Sequence, residues 1–255
     1  MKTVIIIPAR LESTRLPRKM LLRETGCSLI EHTYRSAKSS RLTQEVIVAT
    51  DSEEIFTEVE SFGGKVVMTD PNHICGTDRV AEVAASLTDT DFIINVQGDE
   101  PEICSSAIDK AITTLADDVQ TPMSTLATPI TEQALLTDPN CVKVVLDERN
   151  KALLFSRSQI PFPRNPNDFY YCGDASVSEQ GDFVFLQHLG VYGYRREFLL
   201  KIPDLKKCPL EQIESLEQLR ILYHGHSIKV GLVPSSAPGI DTLEDYQAFV
   251  SRTTN

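Results

Sequence analysis

The hydrophobic positions change their period along the chain. Val4 to Ile7 is an unbroken aliphatic run, the pattern of a strand buried on both faces. Residues 28–40 switch to helical spacing, with Leu29, Ile30, Tyr34 and Ala37 on one stripe. The same reading predicts strands over 45–49, 65–68 and 91–96, and helices starting at Asp51 and running over 78–87 and 105–117. Asp51 is read as an N-cap with Glu54 as its capping-box partner, and Gly63-Gly64 as the stop. Strand and helix alternating in this way imply βαβ crossovers and a parallel sheet with helices on both faces, an α/β fold. The second half is less regular. Strands are expected at 123–130, 141–147, 151–156, 188–194 and 228–233, with helices over 209–224 and from 242. Residues 161–182, rich in proline and polar side chains, read as a long surface excursion. There is no internal repeat.

Sheets of this kind bind ligands outside the carboxyl ends of their strands. That directs attention to the loops 8–19, 50–51, 69–79 and 97–101. The first holds Arg10, Arg15, Arg18 and Lys19 beside Ser13 and Thr14. Such a loop cradles a polyphosphate, although it is neither a Walker loop nor a dinucleotide glycine loop. The plainer reading is a solvated basic turn. In Val96-Gln97-Gly98-Asp99-Glu100-Pro101 a strand runs into Gly-Asp, which puts a carboxylate at the sheet rim. Asp99 suits a magnesium ion that bridges phosphates, or it is a turn residue bonding its own backbone. Asp241 or Thr242 caps the last helix, with an acidic residue three positions on; Asp241 is also a second candidate metal ligand, if it converges with Asp99. Thr77 is a candidate cap and Arg79 a candidate base or phosphate contact. Arg157 follows a strand and suits a carboxylate. His188 and Tyr192 share one strand face.

Composition narrows the classes. The 255 residues carry 25 Lys and Arg against 36 Asp and Glu, a net charge of −11, which argues against a nucleic-acid binder. A small anionic substrate needs only a local basic pocket. Hydrophobic residues make up 41%, enough for a sizeable core. No apolar run is long enough to span a membrane, and the start lacks the features of a signal peptide. The six scattered cysteines read as reduced, mostly buried thiols, and the cytoplasm is the expected location. His224 and His226 offer only two ligands, too few for zinc.

Read together, the motifs resemble the 3-deoxy-manno-octulosonate cytidylyltransferase (CMP-Kdo synthetase) family. The matching stretches include IIIPARLESTRLPRKML at 5–21, INVQGDEP at 94–101, ALLFSRSQIPFPR at 152–164, HLGVYGYR at 188–195 and LEQIESLEQLRILYHG at 210–225. They cover nearly the whole chain in order. The stretches FSRSQIP, HLGVYGYR and ESLEQLR separate the Kdo branch from relatives that activate sialic acid. Two departures stand out: Arg18 where glycine is common, and the excursion at 165–182.

The resemblance implies a nucleotidyltransferase-type, Rossmann-like fold in a single domain. Its nucleotide part lies mainly at 1–130 and 228–255, and its sugar-binding and dimerisation part mainly at 131–227. It implies a cytoplasmic homodimer that uses Mg²⁺ and converts CTP and Kdo into CMP-Kdo and pyrophosphate for lipopolysaccharide assembly. The alternative is a related enzyme for 8-amino-Kdo or sialic acid; a silent nucleotide-binding regulator is a further rival. On this resemblance, Arg10, Arg15 and Lys19 hold the triphosphate, and Asp99 and Asp241 hold Mg²⁺. Pro8, Ala9, Gly76, Thr77 and Arg79 line the cytosine pocket. Arg157, His188, Tyr192, Glu217 and Gln218 receive the sugar, with Gln97 between the substrates.

Overall fold

The computed structural model describes residues 1–13, 15–164, 185–235 and 239–254. Most of the 161–182 excursion, with Cys172, therefore lies outside the described residues, as does Thr14.

The aliphatic run at the start forms β1 (Thr3–Ala9), all seven residues of which are buried. Its side chains alternate between two cores. Val4 and Ile6 pack with Ile47, Ala49 and Ile93, while Ile5 and Ile7 pack with Val46, Val48 and Ile94. Both faces are covered. Helices α1 (Leu29–Lys38), α2 (Glu53–Ser61) and α4 (Ser105–Asp117) supply Ile30, Tyr34, Ile55, Val59, Ile108 and Leu115 to the second core. Helix α3 (Gly76–Ser86) supplies Val80, Val83 and Ala84 to the first, joined further along the chain by α6 (Arg196–Leu199) and α8 (Gln218–Tyr223). Each fully buried aliphatic side chain contributes up to about 1.5–3 kcal/mol, so β1 is a stiff beam from which the following loop hangs.

The remaining strands are β2 (Glu45–Thr50), β3 (Lys65–Met68), β4 (Phe92–Asn95), β5 (Met123–Pro129), β6 (Lys143–Leu146), β7 (Ala152–Ser156), β8 (Leu186–Arg195) and β9 (Ile228–Leu232). The path through the sheet is β3-β2-β1-β4-β8-β5-β9, with the β6–β7 hairpin attached through β8. Pairs β1–β2, β1–β4, β2–β3 and β5–β9 are parallel. Strand β8 is antiparallel to both β4 and β5. Hence β5 and β9 run with the first four strands and only β8 on this path is reversed: a mostly parallel α/β sheet. From β1 the chain steps outward to β2 and β3, then returns to the far side of β1 as β4. The crevice at the carboxyl ends of β1 and β4 is therefore the topological switch point.

Four local expectations are corrected. Helix α2 is capped by Ser52, whose hydroxyl accepts the Ile55 N–H at 3.4 Å, and not by Asp51, whose carboxylate is taken by Arg79. Helix α3 begins at Gly76 with Cys75 at the cap position, so Thr77 lies inside it and is no cap. The helix expected over 209–224 is broken: α7 (Pro209–Glu214) ends at Ser215, which adopts left-handed φ 53°, ψ 47°, before α8 starts. A buried Arg220–Glu211 pair, with Arg220 Nε donating at 2.8 Å, ties the two halves across the break. Short helices α5 (Gln133–Thr137) and α6 were not visible in the periodicity. The last helix, α9 (Leu243–Thr254), is held by a reciprocal pair: Asp245 N–H donates to Thr242 Oγ1, and the Asp245 carboxylate accepts the Asp241 and Thr242 N–H groups. The thiols are free among the described residues, but only Cys141 and Cys208 are buried and Cys104 is exposed, fewer buried than expected.

Candidate active site

The loop after β1 turns back through a single 3-10 turn, Lys19–Leu21. Arg18 precedes it in the left-handed region, φ 57°, ψ 25°, a backbone that side chains other than glycine adopt rarely. This accounts for the glycine common at that position in the family it resembles. Here the arginine is held by a fork of two hydrogen bonds to Glu54 of α2. Lys19 is thereby turned inward and is only 7% exposed. Its ammonium donates to Asp99 Oδ2 at 2.6 Å, to the Ile240 carbonyl at 2.9 Å and to Asp241 Oδ1 at 3.3 Å. Arg15 Nη2 lies 3.0 Å from the same Asp241 oxygen. Residues far apart in the chain thus meet at the switch-point rim.

The turn that presents Asp99 is tightly packed at the residue before it. A Cβ on Gly98 would lie 3.1 Å from both the Pro8 carbonyl oxygen and the Met20 sulfur. Thr33 donates from its hydroxyl to the Gly98 carbonyl at 2.8 Å, and Ile240 N–H donates to the Asp99 carbonyl at 2.9 Å. The backbone on both sides is fixed, and the two carboxylates stay partly open to water, their side chains 28% and 46% exposed. Two carboxylates converging on one cation, beside an open cleft, fit Mg²⁺, which takes one or two protein carboxylates and completes its shell with water and phosphate oxygens. No group of three or more metal-ligating side chains exists among the described residues, so an all-protein cage is not what this rim provides.

Beside the rim lies a cavity of about 240 Å³ whose wall includes Gly76, Thr77, Gln97, Tyr192, Glu217 and Gln218. Thr77 Oγ1 donates to Glu217 Oε2 at 2.6 Å, and the Tyr192 hydroxyl donates to Gln218 Oε1 at 3.3 Å. The Gln218 amide nitrogen is buried without a partner among the described residues, a donor awaiting an acceptor. Burial, then the nearby Glu217 and Glu100, push the Tyr192 hydroxyl well above the usual tyrosine range, so it stays a proton donor. Burial, then the adjacent Asp99 charge, push the Glu100 carboxyl up to about 8. Glu100 Oε1 packs against Gly190, 3.3 Å from where a Cβ would stand, in the wall of a second cavity of about 350 Å³ that His188 also lines.

Not every predicted residue joins the site. Arg10 stands by it, donating to the His73 carbonyl at 2.8 Å beside a wide basin also lined by Ser13 and Asp51. Arg79, expected at the nucleotide, is fully buried and bonds Asp51 Oδ2 at 2.5 Å and the Thr69 hydroxyl; it braces α3 against β2 and β3 and faces no cleft. Arg157 points elsewhere too: its guanidinium donates to the Glu214 and Pro139 carbonyls at 2.7 and 2.8 Å, locking the end of β7 onto α7. His188 is next to Tyr192, ring centroids 5.5 Å apart, with Nε2 2.9 Å from Thr125 Oγ1; burial pulls it down to about 3, so it is a neutral imidazole. His224 bonds the Lys206 carbonyl and His226 packs edge-on to Phe198. Sequence reasoning missed the Arg18–Glu54 fork and the Thr77–Glu217 bond. Arg18 in a glycine position was the only available signal for the first.

The chain matches the cytidylyltransferase family over residues 4–228. It is 45% identical over 252 residues, 99% of this chain and 98% of its relative, to a 3-deoxy-manno-octulosonate cytidylyltransferase of Rhodopirellula baltica. A protein of the same name from Francisella tularensis subsp. novicida is 44% identical over 95% of both chains. Among solved structures it superposes with TM-score 0.90 and 38% identity, over 100% of this chain and 99% of the other, on a CMP:2-keto-3-deoxy-manno-octonic acid synthetase complexed with CTP. A cytidylyltransferase of Leptospira borgpetersenii, TM-score 0.61 and 19% identical, shares the fold.

Proposed function

The chain belongs to the cytidylyltransferase family, in its 3-deoxy-manno-octulosonate branch, and from that premise we propose that the rim around Lys19 binds CTP with Mg²⁺ while the cavity beside Thr77 takes the sugar acid. The activity is the transfer of CMP from CTP to Kdo, which gives CMP-Kdo and pyrophosphate. The observation that carries the site assignment is the single ammonium of Lys19 shared by Asp99 and Asp241 at the switch point.

The anomeric hydroxyl of the sugar attacks the α-phosphorus, a new P–O bond forms, and pyrophosphate leaves. Both substrates are anions, so positioning and charge neutralisation carry the rate. Lys19 is fixed by three acceptors and stands at the α-phosphate side of the rim. Arg15 is exposed and free to exchange Asp241 for phosphate oxygens, and Arg10 extends the cationic strip toward the β1 end. Pro8, Ala9 and Gly76 flank the base. Asp99 and Asp241 would hold Mg²⁺, which when bound would supply Lewis-acid stabilisation of the charge that develops at the phosphate. Within the cavity Gln97 sits between the substrates. Glu217 accepts from the sugar hydroxyls, and the unpaired amide of Gln218, whose oxygen is held by the Tyr192 hydroxyl, donates to the sugar oxygens.

We read the molecule as a homodimer. Strand β7 exposes Leu153 and Leu154, and α7, joined to it through Ser156 Oγ donating to Glu214, exposes Leu210 and Ile213. A second copy covers these apolar side chains; sedimentation equilibrium tests this, and a monomer at micromolar concentration would sink it. No helix among the described residues is long and apolar enough to cross a membrane. We place the enzyme in the cytoplasm, where CTP is made, feeding lipopolysaccharide assembly.

The deciding assay is pyrophosphate release with CTP, Mg²⁺ and Kdo, with 8-amino-Kdo and sialic acid as comparators. Kdo is the preferred substrate; release only with a comparator, or no release with Kdo when Mg²⁺ is present, overturns the reading, and release undiminished without Mg²⁺ overturns the metal assignment.

A further inference from the structure

We propose that Thr77 is a positioning residue for the sugar side of the site: its hydroxyl aims the Glu217 carboxylate into the cavity, and it is not a nucleotide contact. This deepens the reading above and rests on it.

Thr77 is the second residue of α3 and is only 8% exposed. Its hydroxyl is not used to cap its own helix, whose cap position is Cys75. It reaches instead across 140 residues of sequence to Glu217 Oε2, at 2.6 Å, a length typical of a hydroxyl donating to a carboxylate. Among the described residues no other group is hydrogen-bonded to that carboxylate. The neighbouring cation on α8, Arg220, is bound by both oxygens of Glu211. Glu217 itself follows the break at Ser215 and stands at the start of a six-residue helix, where three side-chain torsions would otherwise leave its carboxylate free to swing.

The other end of this strut is firm. A Cβ on Gly76 would lie 3.5 Å from the Pro8 ring and 4.0 Å from Gln97 Oε1, so the first turn of α3 is seated against the ends of β1 and β4. Thr77 therefore refers the position of Glu217 to the same strand ends that carry Asp99. With Oε2 held by the threonine, Oε1 is left as an acceptor. That suits a donor hydroxyl of a polyol and disfavours an anion.

The test compares Thr77→Val, which removes the hydroxyl and keeps the shape, with Thr77→Ser, which keeps the hydroxyl, in steady-state pyrophosphate release. Thr77→Val is expected to raise KM for the sugar acid about tenfold, the equivalent of one lost hydrogen bond, with KM for CTP unchanged. Thr77→Ser is expected to retain most of the wild-type KM. In a Glu217→Gln background, Thr77→Val should add little, because the two act as one unit. A rise in KM for CTP in place of the sugar acid returns Thr77 to the nucleotide pocket and overturns the proposal. So do equal losses in both variants, which mark a packing role, and wild-type kinetics in Thr77→Val. A wild type that releases no pyrophosphate with any sugar acid overturns the functional reading and this proposal with it; failure of the Val variant alone to differ overturns only the proposal.

Discussion

Replacing Lys19 by methionine isolates the charge at the centre of the rim. The thioether preserves the packing of the buried stem and removes an ammonium that meets three acceptors at 2.6, 2.9 and 3.3 Å. Hydrogen bonds to charged groups contribute about 1.5–3 kcal/mol each when buried. Asp99 and Asp241 are 28% and 46% exposed, so water recovers much of their solvation once the lysine is gone. What remains is the unpaired Ile240 carbonyl and the repulsion of two carboxylates left with Arg15 alone. A net loss of roughly 2–4 kcal/mol follows, which for a chain of this size lowers the melting temperature by roughly 5–15 °C.

The same variant should respond to metal as the wild type does not. With Lys19 present, the carboxylates are already neutralised by two cations, and millimolar Mg²⁺ without nucleotide gains little. With methionine there, Mg²⁺ replaces the missing charge and recovers part of the lost stability through mass action. Circular-dichroism melts with and without Mg²⁺ read both effects. A Lys19→Met protein that melts with the wild type and ignores Mg²⁺ would refute the shared-cation argument and the metal assignment that rests on it.

Three further outcomes follow from separate observations. Arg18→Gly relieves the left-handed backbone while losing the Glu54 fork, so its melting temperature stays near that of the wild type; Arg18→Val, β-branched at φ 57°, melts clearly lower, and equal melts for the two variants would remove the strain argument. Asp118 is held down to about 2, chiefly by the Thr121 hydroxyl and also by Lys151. Its folded value is below the ordinary one, so its stabilisation is present above about pH 4 and is lost as pH falls toward about 2; Asp118→Asn should therefore be destabilised in neutral urea melts, and the gap to wild type should close across that window. His188, pulled down to about 3 by burial, should show no imidazole titration by NMR between about pH 8 and pH 5, and an inflection near the ordinary 6.5 would place it in water.

The parts of the molecule that declare themselves in the sequence are those whose structure depends on near neighbours. The strand at Lys65–Met68 and the helix at Ser105–Asp117 match their predicted bounds, because an apolar run between turn residues, or a stripe repeating every three or four positions, is a local property. Caps are local too, yet Asp51 and Ser52 are both competent, and the choice between them is made by Arg79, a fully buried guanidinium 28 residues on that requires an anion. The break at Ser215 is a similar case. Nothing in the helical pattern of 209–224 forbids continuation, and the left-handed residue becomes tolerable only because Arg220 and Glu211 bridge it. Strand β8 was legible as a strand, but its reversed direction and its seat between β4 and β5 belong to the whole sheet.

The site shows the same division. That the loop carrying Lys19 and the turn carrying Asp99 follow strands could be read from the pattern, since each comes after an aliphatic run. That they touch is a consequence of topology: the return of the chain to the far side of β1 places the β4 turn beside the first loop, and the parallel course of β9 brings residues 239–241 to the same rim. Lys19 lies 80 and 222 positions from its two carboxylate partners, far outside any window of periodicity. Arg79 and Arg157 are engaged within the protein for the complementary reason. Their positions after or near strands resemble those of Arg10 and Arg15, and only the packing shows that each guanidinium already bonds groups of the protein itself: Asp51 and Thr69 for Arg79, the Glu214 and Pro139 carbonyls for Arg157. A cation at a strand end is available to a substrate when the fold leaves its partners open to water, as at Asp241, and unavailable when the fold closes over them.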